Sequence, residues 1–298
     1  MVHLVLGLVL LAGTLAAGNP LHRRDLKSIQ EMVLDMAPNS FDDQYRGCSH
    51  MMEKELKELN RTEFARNSIY ADTWAIATKE WQSWRHRSPQ SLALRPEQAI
   101  ALLAYTQAGP LYPEFNKAVR EAGRSRREYL DNFHFKTLHF LLTEALHSLQ
   151  DARPPQCYHV FRGVKGIRFT TQQGQIIRFG YFASSSLQLE KSKRFGEDTV
   201  FKVNTCYGVP ITDFSFFREE EEVLIPPFET FKVINVTYNG SRPVIQLSHL
   251  NATSNYNCEF VKGDIPAGWS FRRSVARDPP HLWVLLLAAA ALAAAGSA

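Results

Sequence analysis

An α+β fold is what this sequence predicts, and three observations carry the prediction. From Asp25 to about Gln150 apolar residues recur three and four apart, the period of helices packed along one face. After "DARPPQC" the texture changes to short β-rich runs separated by Gly, Pro, Asn and Asp at intervals typical of antiparallel strands. No GxGxxG sits between a strand and a helix, and no GxxxxGK loop is present, which disfavours a parallel nucleotide-binding sheet. Helices first and strands second argue a layered α+β domain.

In chain order, residues 1–18, "MVHLVLGLVLLAGTLAAG", form an apolar core ending in small residues, with Ala16 and Gly18 at the −3 and −1 positions of a cleavage site. This is expected to be a secretory signal peptide. Helices are expected in "DLKSIQEMVLDMA", "CSHMMEKELKELNRTEFA", "YADTWAIATKEWQSWRHR", "RPEQAIALLAYTQ" and "FKTLHFLLTEALHSLQ". Pro89, Pro96, Gly109, Pro110 and Pro113 punctuate them, Pro96 as a first helical residue. Strands are expected in "YHVFRGV", "GIRFTT", "IIRFGYFASSSL", "TVFKVNT", "VLIPPFETFKVINVTY" and "VIQLSHL". One domain is expected over 19–276, helical over about 25–150 and β-rich over about 157–262. From Leu282 the chain is apolar to its end with no basic residues following, so residues 277–298 are expected to be a removable glycosylphosphatidylinositol (GPI) signal, Ser274 or Ala276 being small attachment candidates. A single-pass span is the alternative, at the lower limit of crossing length.

The net charge of +4 is too mild and too evenly spread to argue for nucleic acid, and the Arg-rich "REAGRSRREY" at 120–129 is expected to be the solvated face of a helix. Four cysteines, Cys48, Cys157, Cys206 and Cys258, suit two disulfides in an exported chain; their wide spacing excludes a zinc knuckle, and three connectivities remain open. Sequons at Asn60, Asn235, Asn239 and Asn251 fit an extracellular surface. His134, His139 and His147 do not share one helical face, so no metal is implied.

The chemistry gathers around "FREEEEVLIPP". An acidic run is ordinarily a solvated turn, but this one abuts a strand, where alternation would send Glu220 and Glu222 to one face and Glu221 to the other. Two carboxylates on one face can divide labour, one stabilising charge and one handling a proton. Upstream, "VFRGV" places Arg162 in a strand beside Gly163, where backbone can approach a ligand, and "YFASSSL" would put Ser184 and Ser186 on one face.

The order Arg, aromatic-x-Ser-x-Ser, Glu-x-Glu resembles the R-S-E signature of the vertebrate ecto mono-ADP-ribosyltransferases, most closely the arginine-specific, membrane-anchored members. The likeness runs from "FDDQYRGC" through "ALLAY", "FNKAVREAGRSR", "FKTLHFLLTEAL", "FASSSL", "FGEDT" and "EEEVLIPPFETFKVI" to "YNCEF". It implies a mostly antiparallel β-sandwich core of the ADP-ribosyltransferase type with the helical part packed on it, and transfer of ADP-ribose from NAD to arginine on extracellular or luminal proteins. The resemblance makes Arg162 the holder of the NAD phosphate and ribose region, Ser184 the shaper of the nicotinamide-ribose pocket, Glu222 the catalytic glutamate and Glu220 the first acid of the pair. It implies further NAD contacts at Tyr105, Gly163, Arg178, Phe195 and Ser215, and disulfides Cys48–Cys258 and Cys157–Cys206. NAD is then consumed as substrate, with no cofactor permanently bound, and the lipid anchor ties the protein to the cell surface, a secreted or luminal protein being the alternative. Cleavage of the nicotinamide–ribose bond creates an oxocarbenium-like centre that an anion stabilises, the role of Glu222. The acceptor guanidinium is protonated and a poor nucleophile, so Glu220 is expected to orient it and take its proton. The alternatives are mainly NAD hydrolysis, or a weakly catalytic surface antigen on the same fold.

Overall fold

The computed structural model describes residues 29–84 and 93–263. The expected signal peptide and GPI signal lie outside the described residues. Helices α1 (Ser49–Arg66), α2 (Ser68–Trp84), α3 (Pro96–Thr106), α4 (Leu111–Ala122), α5 (Arg126–Asn132) and α6 (Lys136–Asp151) precede the main sheet. Pro96 opens α3, and the Gln98 side chain folds back to accept from the Arg95 backbone N–H at 2.9 Å. Gln98 to Tyr105 are all buried, so α3 is a core helix with no solvated face of its own. The Arg-rich stretch is two helices rather than one: Gly123 ends α4, and the Ser125 hydroxyl caps α5 by accepting from Glu128 N–H at 3.0 Å.

The strands are β1 (Gln30–Val33), β2 (Tyr158–Val164), β3 (Ile167–Thr170), β4 (Ile176–Arg178), β5 (Ala183–Ser186), β6 (Thr199–Thr205), β7 (Val209–Pro210), β8 (Glu222–Ile225), β9 (Glu229–Asn239) and β10 (Arg242–Ala252). Eight form one sheet in the order β4-β9-β10-β6-β2-β5-β8-β7, antiparallel except where β10 meets β6. The join between β2 and β5 is a single residue pair, Phe161 with Ser186, which divides the sheet into two blocks. A four-residue helix α7 (Leu189–Ser192) and a 3₁₀ turn (Lys193–Phe195) cross from β5 towards β6.

The segment expected as the first helix is instead β1, paired in parallel with β3. Its apolar residues have helical spacing, yet they divide as strand residues do, Met32 and Leu34 packing on the core while Val33 between them is 72% exposed. Backbone bonding decides the matter, Gln30 N–H donating to Gly166 O and Leu34 N–H to Thr170 O, each at 2.9 Å.

The two ends of the described chain are clasped by buried acids. Asp42 accepts from the backbone of Asn255 and Tyr256, and Asp43 from Cys258 and Glu259 at 2.9 Å each. Burial pushes the Asp43 carboxyl up to about 6, against the pull of those backbone donors. The disulfide Cys48–Cys258 closes the same clasp and Cys157–Cys206 ties β2 to β6, the pairing the resemblance implies. Of the sequon asparagines, Asn235 and Asn239 are exposed on β9, while Asn60 and Asn251 are half-buried, Asn251 accepting from the Thr230 hydroxyl. No helix among the described residues is long and apolar enough to cross a membrane.

Candidate active site

The break between β2 and β5 brings the chemical residues together. Arg162 leaves β2 and its guanidinium donates from Nη1 to the Ser184 carbonyl on β5 and from Nη2 to the Tyr112 hydroxyl at 3.4 Å, at the start of α4. Its cationic carbon lies 5.6 Å from the Tyr181 ring centre. Among the described residues no carboxylate is within ion-pair distance of Arg162, and its Nε–H is buried without a partner. A cation with an unspent donor suits an anionic ligand.

Strand β8 pairs with β5 so that Ser186 faces Glu222 and Ser184 faces Leu224. Glu222 is 6% exposed. Burial pushes its carboxyl from 4.5 up to about 7, hydrogen bonding from Ser184 and Ser215 and the charge of Arg162 pull it down, and Glu220 pushes it further up. The Ser215 hydroxyl donates to Glu222 Oε2 at 3.4 Å while accepting from Phe217 N–H at 3.1 Å. Glu220 ends a 3₁₀ turn, Arg218–Glu220, half-buried, its own carboxyl raised by burial and by Glu219 and lowered by Arg194.

The two acids do come together, but not by strand alternation. Glu220 precedes the strand, and Glu221 takes a left-handed conformation (φ 47°) that turns its side chain out to Gln188 Nε2 at 2.6 Å and Lys191 Nζ at 2.8 Å. Ser186, expected only to share a face with Ser184, fixes this turn by donating to Glu220 O at 2.7 Å.

Three of the expected NAD contacts, Arg178, Tyr105 and Gly163, stand deep in the structure. Arg178 is 3% exposed, and its guanidinium is spent on Asp42 and on the carbonyls of Met36, Ala37 and Thr253; it buttresses the terminal clasp. Tyr105 is 1% exposed and lies beneath the site, its hydroxyl donating to Phe182 O at 2.6 Å. Backbone comes close at Gly163: a Cβ there would stand 2.3 Å from the carbonyl oxygens of Ser192 and Gly196. The strap so admitted packs against β2 at Gly163 and carries Phe195, 51% exposed. Sequence reasoning missed Tyr112, Tyr181 and Asn116; Tyr181, the aromatic opening "YFASSSL", and Asn116, in "FNKAVREAGRSR", sit inside motifs that could have flagged them. Among the described residues no group of three or more His, Cys, Asp or Glu side chains is placed to hold a metal ion. His139 is buried between the Tyr45 hydroxyl, 2.8 Å from Nδ1, and Phe41 O.

Residues 34–255 match the family model described as "NAD:arginine ADP-ribosyltransferase". The chain is 55% identical over 262 residues to the erythroblast NAD(P)(+)--arginine ADP-ribosyltransferase of Gallus gallus, covering 88% of this chain and 87% of that one. It is 52% identical to the GPI-linked NAD(P)(+)--arginine ADP-ribosyltransferase 1 of Homo sapiens, covering 83% and 80%. The crystal structure of the eucaryotic mono-ADP-ribosyltransferase ART2.2 superimposes with TM-score 0.67 at 36% identity, covering 76% of this chain and 98% of that one. A mutant of the same protein solved in complex with NAD gives TM-score 0.66 at 37% identity.

Proposed function

Because the chain belongs to the NAD:arginine ADP-ribosyltransferase family and transfers ADP-ribose from NAD to arginine, we propose that the cleft between β2, β5 and β8 is where it does so. Arg162 attracts the NAD phosphates with a charge that no nearby carboxylate neutralises, and Ser184 and Glu222 face the nicotinamide ribose. As the C–N glycosidic bond breaks, its electron pair leaves with nicotinamide, and the Glu222 carboxylate stabilises the positive charge on the ribose. Glu220 binds the acceptor guanidinium, takes one of its protons, and the freed nitrogen bonds to the ribose carbon from the opposite face, inverting it. Phe195 covers the nicotinamide.

The observation that carries this reading is the buried Glu222, held by the Ser215 hydroxyl beside an arginine that has no acidic ion-pair partner among the described residues. The test uses labelled NAD with agmatine as acceptor. Glu220→Gln should lose transfer at least tenfold while NAD hydrolysis continues; transfer that persists removes Glu220 from the acceptor role. Mainly hydrolytic activity in the unmutated protein would instead favour the NAD glycohydrolase alternative.

The acceptors are arginine-bearing proteins at the cell surface, where the chain is held by a GPI anchor after removal of residues 1–18 and 277–298. The apolar carboxyl terminus and the GPI-linked relatives support this, and the exposed Asn235 and Asn239 suit glycans. Release of the expressed protein from cells by a phosphatidylinositol-specific phospholipase checks the anchor; retention on the membrane, or free secretion, contradicts it.

A further inference from the structure

Glu221, the residue between the two acids of the cleft, stands in the left-handed region (φ 47°, ψ 52°). That conformation is costly for any side chain other than glycine, because Cβ crowds the backbone carbonyl. Glycine would take it freely, so a glutamate here needs a compensating contact.

The compensation lies in its carboxylate. Glu221 Oε1 accepts from Gln188 Nε2 at 2.6 Å and from Lys191 Nζ at 2.8 Å, both on the segment that runs from β5 into α7. The Lys191 side chain is only 20% exposed, and two donors converge on one oxygen, so the pair is better placed than an isolated surface ion pair. The backbone is held from the same direction. Leu187 N–H donates to Glu221 O at 3.3 Å, and the Ser186 hydroxyl donates to Glu220 O at 2.7 Å while accepting from Gln188 N–H at 3.0 Å. Residues 186–191 thus grip the turn at two consecutive carbonyls as well as at the carboxylate. The dihedrals of residue 221 set the direction of Glu220 relative to strand β8, on which Glu222 stands.

We propose that Glu221 is a positioning residue for the acceptor: tethered by Lys191 and Gln188, it holds the left-handed turn that aims Glu220, and so sets how ADP-ribose divides between arginine and water. This rests on the reading of Glu220 as the acid that binds the acceptor guanidinium. Lys191 and Glu221 bond to each other rather than to Arg162, Ser184 or Glu222, so cutting the tether should spare NAD binding and hydrolysis.

The experiment measures the ratio of transfer to hydrolysis with labelled NAD and agmatine, and the KM for each substrate. The chains compared are the unmutated one, Lys191→Met, Glu221→Ala, Glu221→Gly and the double variant that combines Lys191→Met with Glu221→Gly. Methionine keeps the apolar stem of Lys191 and removes its charge. In Lys191→Met and Glu221→Ala the turn is no longer held, and the ratio should fall about tenfold, the weight of one strained residue, with the KM for agmatine raised and the KM for NAD unchanged. Glycine takes the same backbone angle without a tether. Glu221→Gly should therefore transfer better than Glu221→Ala, and should bring transfer back when added to Lys191→Met. An unchanged ratio in Lys191→Met, or a double variant no better than Lys191→Met, overturns the proposal. A raised KM for NAD with an unchanged ratio overturns it too, because the defect then lies in the strap. Should Lys191→Met not fold, the comparison of Glu221→Gly with Glu221→Ala decides, and equal ratios in the two overturn the proposal. Glu220→Gln keeps the two levels apart: transfer that persists in it refutes the reading of Glu220. Transfer lost in Glu220→Gln but kept in full by Lys191→Met and Glu221→Ala refutes only the tether.

Discussion

Glu222→Gln tests the burial argument in a way that activity alone does not. The carboxyl is raised from 4.5 to about 7, with burial the largest cause. At about 1.4 kcal/mol per pH unit, that difference corresponds to about 3 kcal/mol. Its sign follows from which state holds the proton more tightly. The folded chain does, so this contribution to stability is complete below pH 4.5, is lost as pH rises through 7, and is constant above. Glutamine keeps the shape, can accept from Ser215, and does not titrate. Relative to the unmutated chain, Glu222→Gln should therefore gain about 3 kcal/mol of unfolding free energy between pH 4.5 and pH 8. Urea denaturation with disulfides intact, at both pH values, measures the difference; taking it between the two proteins cancels other raised acids such as Asp43 and Glu63. Activity should fall at least about 10²-fold, the cost of removing one preorganised charge-stabilising group. Parallel stability curves for the two proteins would show that Glu222 is not held protonated by its surroundings, and the electrostatic account of the site would fail with it.

Two further substitutions probe the scaffold. Gly163→Ala forces a methyl group to within 2.3 Å of the Ser192 and Gly196 carbonyls, so it should cost about 1–3 kcal/mol and raise the KM for NAD by shifting the strap that carries Phe195. An unchanged melting temperature and KM would mean that the strap is not seated on β2. Replacing both Cys157 and Cys206 by Ser opens a loop of 49 residues and should lower stability by up to about 4 kcal/mol on chain-entropy grounds, and an unshifted urea midpoint would contradict that.

Much of the architecture was legible because local period and tertiary role agree. The run "TVFKVNT" alternates against two neighbours and is β6 to the residue, and "RPEQAIALLAYTQ" carries its own start signal in Pro96. The reading failed where pattern and partner disagree: "QEMV" has helical spacing around it, yet strand β3 supplies the bonds that settle its form. The site shows the same division. Arg162, Ser184, Glu220 and Glu222 stand in a recognisable order, whereas the φ of Glu221 and the roles of Tyr105 and Arg178 depend on contacts tens of residues away. Arg178 meets Asp42 across 136 positions, a relation no local window contains.

β10, the last strand of the described residues, is an interior one, lying between β9 and β6. Until Arg242–Ala252 emerges, the edge of β6 has nothing to bond, and the buried carboxylates of Asp42 and Asp43 still wait for the amides of residues 255–259. Biosynthesis of this enzyme therefore passes late through a hazardous interval, a polypeptide displaying a sticky sheet margin, and truncation there should yield aggregates rather than a smaller working protein.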